Sequence, residues 1–213
     1  MDSPDTSPKI RIDRATRAEQ RRDTRALIVR CGTELFTERG FQATGIDEIR
    51  ARVNVPKGSF YHFFESKQAF GLAVIDSYAA YFERKLQRHF DKAALSPLAR
   101  LRSFVDDAKA GMQRFNFQRG CLIGNLGQEL GGIDDLFRER LEAVLQSWQR
   151  LTATCLQAAV DAQELPAGTD CAALAAFFWI GWEGAILRAK LTRNNDPLEH
   201  FFGSFLAIAT AGR

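Results

Sequence analysis

Apolar residues recur at spacings of three and four along nearly the whole chain, and the strict alternation of a half-buried strand is missing. That periodicity points to an all-α protein of about nine helices. The first, Arg17 to Arg39, carries Ile28, Cys31, Gly32, Leu35 and Phe36 on one stripe and stops at Gly40, a residue suited to a helix C-terminus. A short second helix buries Ile46, Ile49 and Val53 and breaks at Asn54-Val55-Pro56, because proline lacks an amide donor and disfavours helix in the residue before it. Lys57 to Phe63 makes a third helix of about two turns, and Ser66 caps a long fourth that runs to about Phe90. Five more are expected at Pro97 to Asn116, Gly120 to Leu130, Asp134 to Gln163, Asp170 to Leu191 and Pro197 to Thr210, with glycines and prolines at the joints.

This punctuation divides the chain into an N-terminal arm (residues 1–16) expected to be disordered, a small helical module (17–67) and a larger helical body (68–213). Charge follows the same division. The whole excess of +3 lies before residue 68, and Lys9 to Arg30 alone holds eight basic and three acidic residues, a concentration that attracts phosphate backbones. The longest apolar run, Ala172 to Trp182, is about half of the roughly 20 residues a bilayer span needs, so no membrane segment is expected. Met1 to Arg30 has no apolar core of a secretory signal, and a cytoplasmic setting is the expectation. The four cysteines show no C-x-x-C spacing, which argues against a zinc site or a disulfide framework; Cys31, Cys155 and Cys171 read as small buried hydrophobes. Only His62, His89 and His200 are present, with no phosphate loop or nucleophile elbow, so neither an enzyme nor a cofactor or metal is expected.

Two short helices joined by a tight turn are the pattern of a helix-turn-helix, whose second helix enters the DNA major groove. Lys57 can reach a guanine edge or a phosphate, Gly58 allows close backbone approach, and Ser59, Tyr61 and His62 supply donors of increasing reach. Phe60 and Phe64 must face inward, since about two isolated turns are unstable in water.

Thr44-Gly45-Ile46-Asp47-Glu48-Ile49 and Val55-Pro56-Lys57-Gly58-Ser59-Phe60-Tyr61-His62-Phe63-Phe64-Glu65-Ser66-Lys67 resemble the DNA-binding domain of TetR-type transcriptional regulators. The resemblance implies a three-helix DNA-binding domain, a larger ligand-binding domain, a homodimer on double-stranded DNA, and repression relieved by a small-molecule inducer. By position it places DNA contacts at Thr44, Lys57, Gly58, Ser59, Tyr61, His62 and Lys67. Two positions depart from the family pattern. Gly45 replaces the usual hydroxyl cap and phosphate donor, and Arg50 stands where a small alanine is usual, either adding a basic contact or pointing at water.

In the body, Arg119 to Glu129 and Phe178 to Lys190 resemble acrylate-responsive members of that family and, more loosely, electrophile-responsive ones. The implied effector is acrylate or a related small carboxylate or electrophile, with covalent modification of Cys121 as the alternative signal. A thiol reacts as its thiolate and nearby cations favour that form, so Arg119 and Lys190 are the candidate activators of Cys121. Asn125 and Gln128, four and seven residues after Cys121, share a helix face with it. Trp179, Trp182 and Glu183 supply an apolar wall and one carboxylate, and a buried Glu183 would need a cation such as Lys190 or Arg188. Phe201, Phe202 and Phe205 are expected at a helical dimer interface.

Overall fold

The computed structural model describes residues 14–211, among which there are nine helices and no strand. They are α1 (Arg14–Arg39), α2 (Ile46–Arg52), α3 (Lys57–Phe63), α4 (Lys67–Phe90), α5 (Pro97–Arg114), α6 (Leu122–Leu130), α7 (Asp135–Asp161), α8 (Cys171–Thr192) and α9 (Asp196–Thr210). The expected N-terminal arm lies outside the described residues up to residue 13, while residues 14–16 form the start of α1.

Most departures from the expected boundaries have a capping reason. Asp134 and Asp170 stand before α7 and α8 as N-caps, accepting from Phe137 N at 3.2 Å and Ala173 N at 2.9 Å. Ser66 does the same for α4, with Ala69 N 3.0 Å from its hydroxyl. α5 stops at Arg114 because Asn116 and Phe117 take left-handed φ values of 49° and 57°, which turn the chain. Cys121 is therefore the N-cap of α6 and not an interior residue. Gly40, with φ of 90°, ends α1 in a conformation that an L side chain rarely adopts.

Helices α1 to α3 form a unit closed by Ile28, Leu35, Phe36, Ile49, Phe60 and Phe64, all buried. The inward turn of Phe60 and Phe64 holds short α3 in place: both rings pack against Phe70 at the head of α4. α4 continues into the body and packs on α5 and α7; α7 then lies against α8, and α8 against α9. The body's core is aromatic, with Trp148, Trp179, Trp182, Phe104 and Phe178 buried and meeting at centroid distances such as 5.0 Å for Trp148 and Trp179. Each such side chain contributes about 1.5–3 kcal/mol by leaving water.

Cys31, Cys155 and Cys171 are buried free thiols. Phe202 and Phe205 are also fully buried within the chain, and Phe201 packs against Phe178 and Trp182, so these rings are intramolecular core. The apolar face that α8 and α9 leave exposed is made instead by Ile180, Leu191 and Ile208, at 74%, 71% and 58% exposure. α8 is long and apolar enough by composition to cross a membrane, yet it carries Glu183, Arg188 and Lys190 and is packed between α7 and α9.

Candidate functional site

Two regions hold the residues singled out by the sequence. On the first, α3 presents Lys57, Gly58, Tyr61 and His62 to solvent and half-buries Ser59, while Phe60 faces the core. His62 meets the guanidinium of Arg21 from α1, a contact not foreseen from the sequence. Three other expected contacts are turned to internal use. Thr44 is fully buried and donates its hydroxyl to Gly40 O at 2.7 Å, closing the turn between α1 and α2. Arg50 neither points at water nor stands free. Its Nη2 lies 2.8 Å from Asp47 Oδ1 and its Nη1 donates to Val55 O at 3.3 Å, tying α2 to the turn before α3. Lys67 donates to Gln42 O at 3.3 Å and lies 4.6 Å from the Phe41 ring centre, and burial lowers its pKa.

The second region is a cavity of about 280 Å³ bounded by α1, α4, α5, α8, the segment from Phe115 to Cys121 that leads into α6, and Leu198 of α9. Its walls include Tyr78, Phe82, Met112, Phe115, Trp179 and Trp182. Among the expected ligand residues, Cys121, Trp179, Trp182 and Glu183 line it together. Gln128 does not, being exposed on α6. Asn125 is turned to α1, donating from Nδ2 to Thr37 O at 3.1 Å. The stem of Lys190 lies over Gly120, one residue from Cys121, but its ammonium acts on neither the thiol nor the carboxyl, and burial lowers its pKa.

The electrostatics of the cavity floor reverse the expectation for Cys121. Amides of Ile123 and Gly124 point at its sulfur and favour the thiolate, but burial and the neighbouring Glu183 outweigh them and push the thiol well above its ordinary value. Arg119 offers no help. Its guanidinium is held by Glu38 at 2.7 Å and by Glu34 at 3.6 Å. Glu183 likewise has neither Lys190 nor Arg188 as a partner; desolvation raises its carboxyl to about 7 against a smaller lowering by the neighbouring Cys121 thiol, and its Oε1 is buried without a partner. Its seat depends on a missing side chain, since a Cβ at Gly124 would collide with Glu183 Oε2. Tyr78 lines the cavity beside Cys121 and Glu183, and burial raises its hydroxyl well above the ordinary value.

The helix that Cys121 caps at the cavity edge is joined directly to the first region. From α6, Glu129 accepts Phe41 N at 2.8 Å and Gln42 N at 2.6 Å, clasping the turn between α1 and α2, while Asn125 holds the end of α1.

The chain also compares closely with proteins of known type. Residues 28–74 match the family described as bacterial regulatory proteins, tetR family, and residues 97–205 match the tetracyclin repressor-like C-terminal domain. The chain belongs to the TetR family. Transcriptional regulator AcuR of Cereibacter sphaeroides is 52% identical to it over 178 residues, covering 84% of this chain and 81% of AcuR. The HTH-type transcriptional repressor NemR of Escherichia coli K12 is 29% identical over 181 residues, 84% of this chain and 89% of NemR. A regulatory protein TetR from Rhodobacter sphaeroides, known as a crystal structure, superposes with a TM-score of 0.83 at 50% identity, covering 86% of this chain and 97% of that one.

As a TetR-family member the chain is a DNA-binding transcriptional regulator, and α2 and α3 are its helix-turn-helix. What sequence reasoning missed in this TetR-family body is the contribution of α4 and α5: Tyr78, Phe82, Lys85 and Met112 face the cavity. The sequence reading singled out none of those positions, and only the folded chain sets them around one space with Trp179 and Trp182 of α8.

Proposed function

We propose that this chain is a homodimeric cytoplasmic repressor that leaves its operator when a small molecule enters the cavity between α1, α4, α5 and α8, beside the N-cap of α6. The observation that carries this reading is the position of α6, whose N-cap Cys121 lines the cavity and whose last turn holds the α1–α2 turn through Glu129. A ligand that displaces α6 therefore displaces the segment on which the helix-turn-helix is mounted. Residues 17–67 act as the reading head and 68–213 as the sensing and dimerising body, with α4 crossing between them. Lys57, Gly58, Ser59, Tyr61 and His62 read the operator, and Arg21 orients His62.

The effector in this reading is acrylate or a similar small carboxylate, held reversibly. Reversible occupancy is favoured over capture by Cys121 because the thiol is buried beside Glu183 and held in its neutral form. A ligand preferring the DNA-free state by a few kcal/mol suffices to shift the population.

The test is fluorescence anisotropy on DNA from upstream of the chain's own gene, with acrylate titrated in and then dialysed out. Release that reverses on dialysis, and that persists in Cys121→Ser, is the expected result. Release that survives dialysis in the parent protein and is lost in Cys121→Ser would replace this reading with covalent sensing.

A further inference from the structure

Within the repressor reading, on which this inference rests, the cavity floor specifies how a carboxylate must enter. Four observations define the floor. Glu183 Oε1 is buried without a hydrogen-bond partner. Its second oxygen occupies the space that a side chain at Gly124 would fill. Beside it stand a thiol, Cys121, and a phenol, Tyr78, both neutral donors. No free cation faces it from any packed helix among the described residues. From α4, Lys85 is bound to Asp107 of α5 at 2.6 Å; ahead of α6, Arg119 is bound to Glu38, and α1 adds Glu34, another carboxylate; on α8, Lys190 lies beyond Gly120 and outside the lining.

An anionic carboxylate entering this space would meet an unpaired carboxylate with no compensating charge, a costly arrangement in an apolar enclosure. The same groups suit an oxygen acceptor once Glu183 carries a proton, for then the carboxyl itself donates, with the neutral Tyr78 hydroxyl and Cys121 thiol beside it. We infer that the cavity takes a small monocarboxylate together with one proton, drawn from solvent and shared between the ligand's carboxylate and the Glu183 carboxyl. The proton is the only species exchanged besides the ligand; no covalent bond to the protein forms or breaks. The inducer response is thereby linked to pH. With Glu183 titrating at about 7, the linkage is negligible in mild acid and strong in mild base.

The experiment is calorimetric titration of the full-length protein with acrylate, at pH 6 and pH 8, each in two buffers of different ionisation enthalpy. Expected is an uptake of roughly 0.9 proton per site at pH 8 and roughly 0.1 at pH 6, with affinity falling about tenfold per pH unit above 7. In Glu183→Gln the amide donates without titrating. Its affinity should be independent of pH and about tenfold above that of the parent protein at pH 8. The proton count on the parent protein stands even if that variant does not fold. Acrylate binding with no proton uptake at pH 8 overturns this inference and leaves the repressor reading intact. Allylammonium binding more tightly than acrylate also overturns it, since the floor would then be a cation site. Absence of any acrylate binding removes both the inference and the proposed effector.

Discussion

Single residues in this chain take their roles from their neighbours more than from their type. Thr44 and Arg50 belong to the stretch that carries the helix-turn-helix motif, yet both are spent on internal bonds, to Gly40 O and to Asp47 and Val55. Cys121 has the sequence context of a reactive thiol and the surroundings of an inert one. Glu183 is the most consequential case because its burial ties stability to pH. Its folded-state value of about 7 exceeds the ordinary 4.5, so the folded chain holds this proton more tightly than the unfolded one. The contribution is fully present below the unfolded value and is lost as pH rises towards 7, amounting to roughly 3 kcal/mol by pH 8. Glu183→Gln removes that loss. Urea midpoints are expected to be similar for variant and parent at pH 4.5 and to favour the variant clearly at pH 8; a constant difference across that range would count against an unpaired buried carboxyl.

At the scale of the element, α2 and α6 carry the testable features. The N-cap of α2 is Gly45, whose backbone is extended and which offers no side-chain cap, and a Cβ placed there meets nothing within 4 Å. Gly45→Ser should therefore fit without strain and add a hydroxyl cap worth a few tenths of a kcal/mol. Its larger expected effect is a severalfold rise in operator affinity, on the proposal that a hydroxyl here donates to a DNA phosphate as in the family pattern; equal affinity by anisotropy would confine the change to stability. For α6, two charge-assisted bonds run from Glu129 to the Phe41 and Gln42 amides. Glu129→Ala should leave acrylate affinity within about twofold, since the residue lies outside the cavity, and should reduce ligand-driven release from DNA from complete to partial. Full release in that variant would assign the coupling to α4 instead.

For the whole molecule, the exposed apolar face of α8 and α9 marks the proposed contact between two copies. Ile180 and Leu191 project into solvent while the phenylalanines of α9 are already buried within the chain. Ile180→Glu should cost the monomer little, because the side chain is largely exposed, while placing a charge in an apolar contact. Sedimentation is expected to show a folded monomer with operator affinity lowered more than tenfold; an unchanged dimer would move the interface elsewhere.

The helices, their stops at Gly40 and Pro56, and the inward set of Phe60 and Phe64 were legible in the sequence because each follows from local periodicity and backbone chemistry. So was the reading head, whose Val55 to Lys67 stretch is contiguous along the chain. The cavity was legible only in part. Trp179, Trp182 and Glu183 could be named from α8 and Cys121 from the start of α6, but Tyr78, Phe82 and Lys85 join them only where α4 packs beside α8. The state of the site was not legible at all. Whether Arg119 and Lys190 activate Cys121 depends on distances and on competing carboxylates from α1, and tertiary structure resolves this by giving Arg119 to Glu38 and leaving Glu183 alone with the thiol. Periodicity and capping are short-range and written in the order of residues, whereas electrostatics and burial depend on which residues from distant segments are brought within a few ångströms.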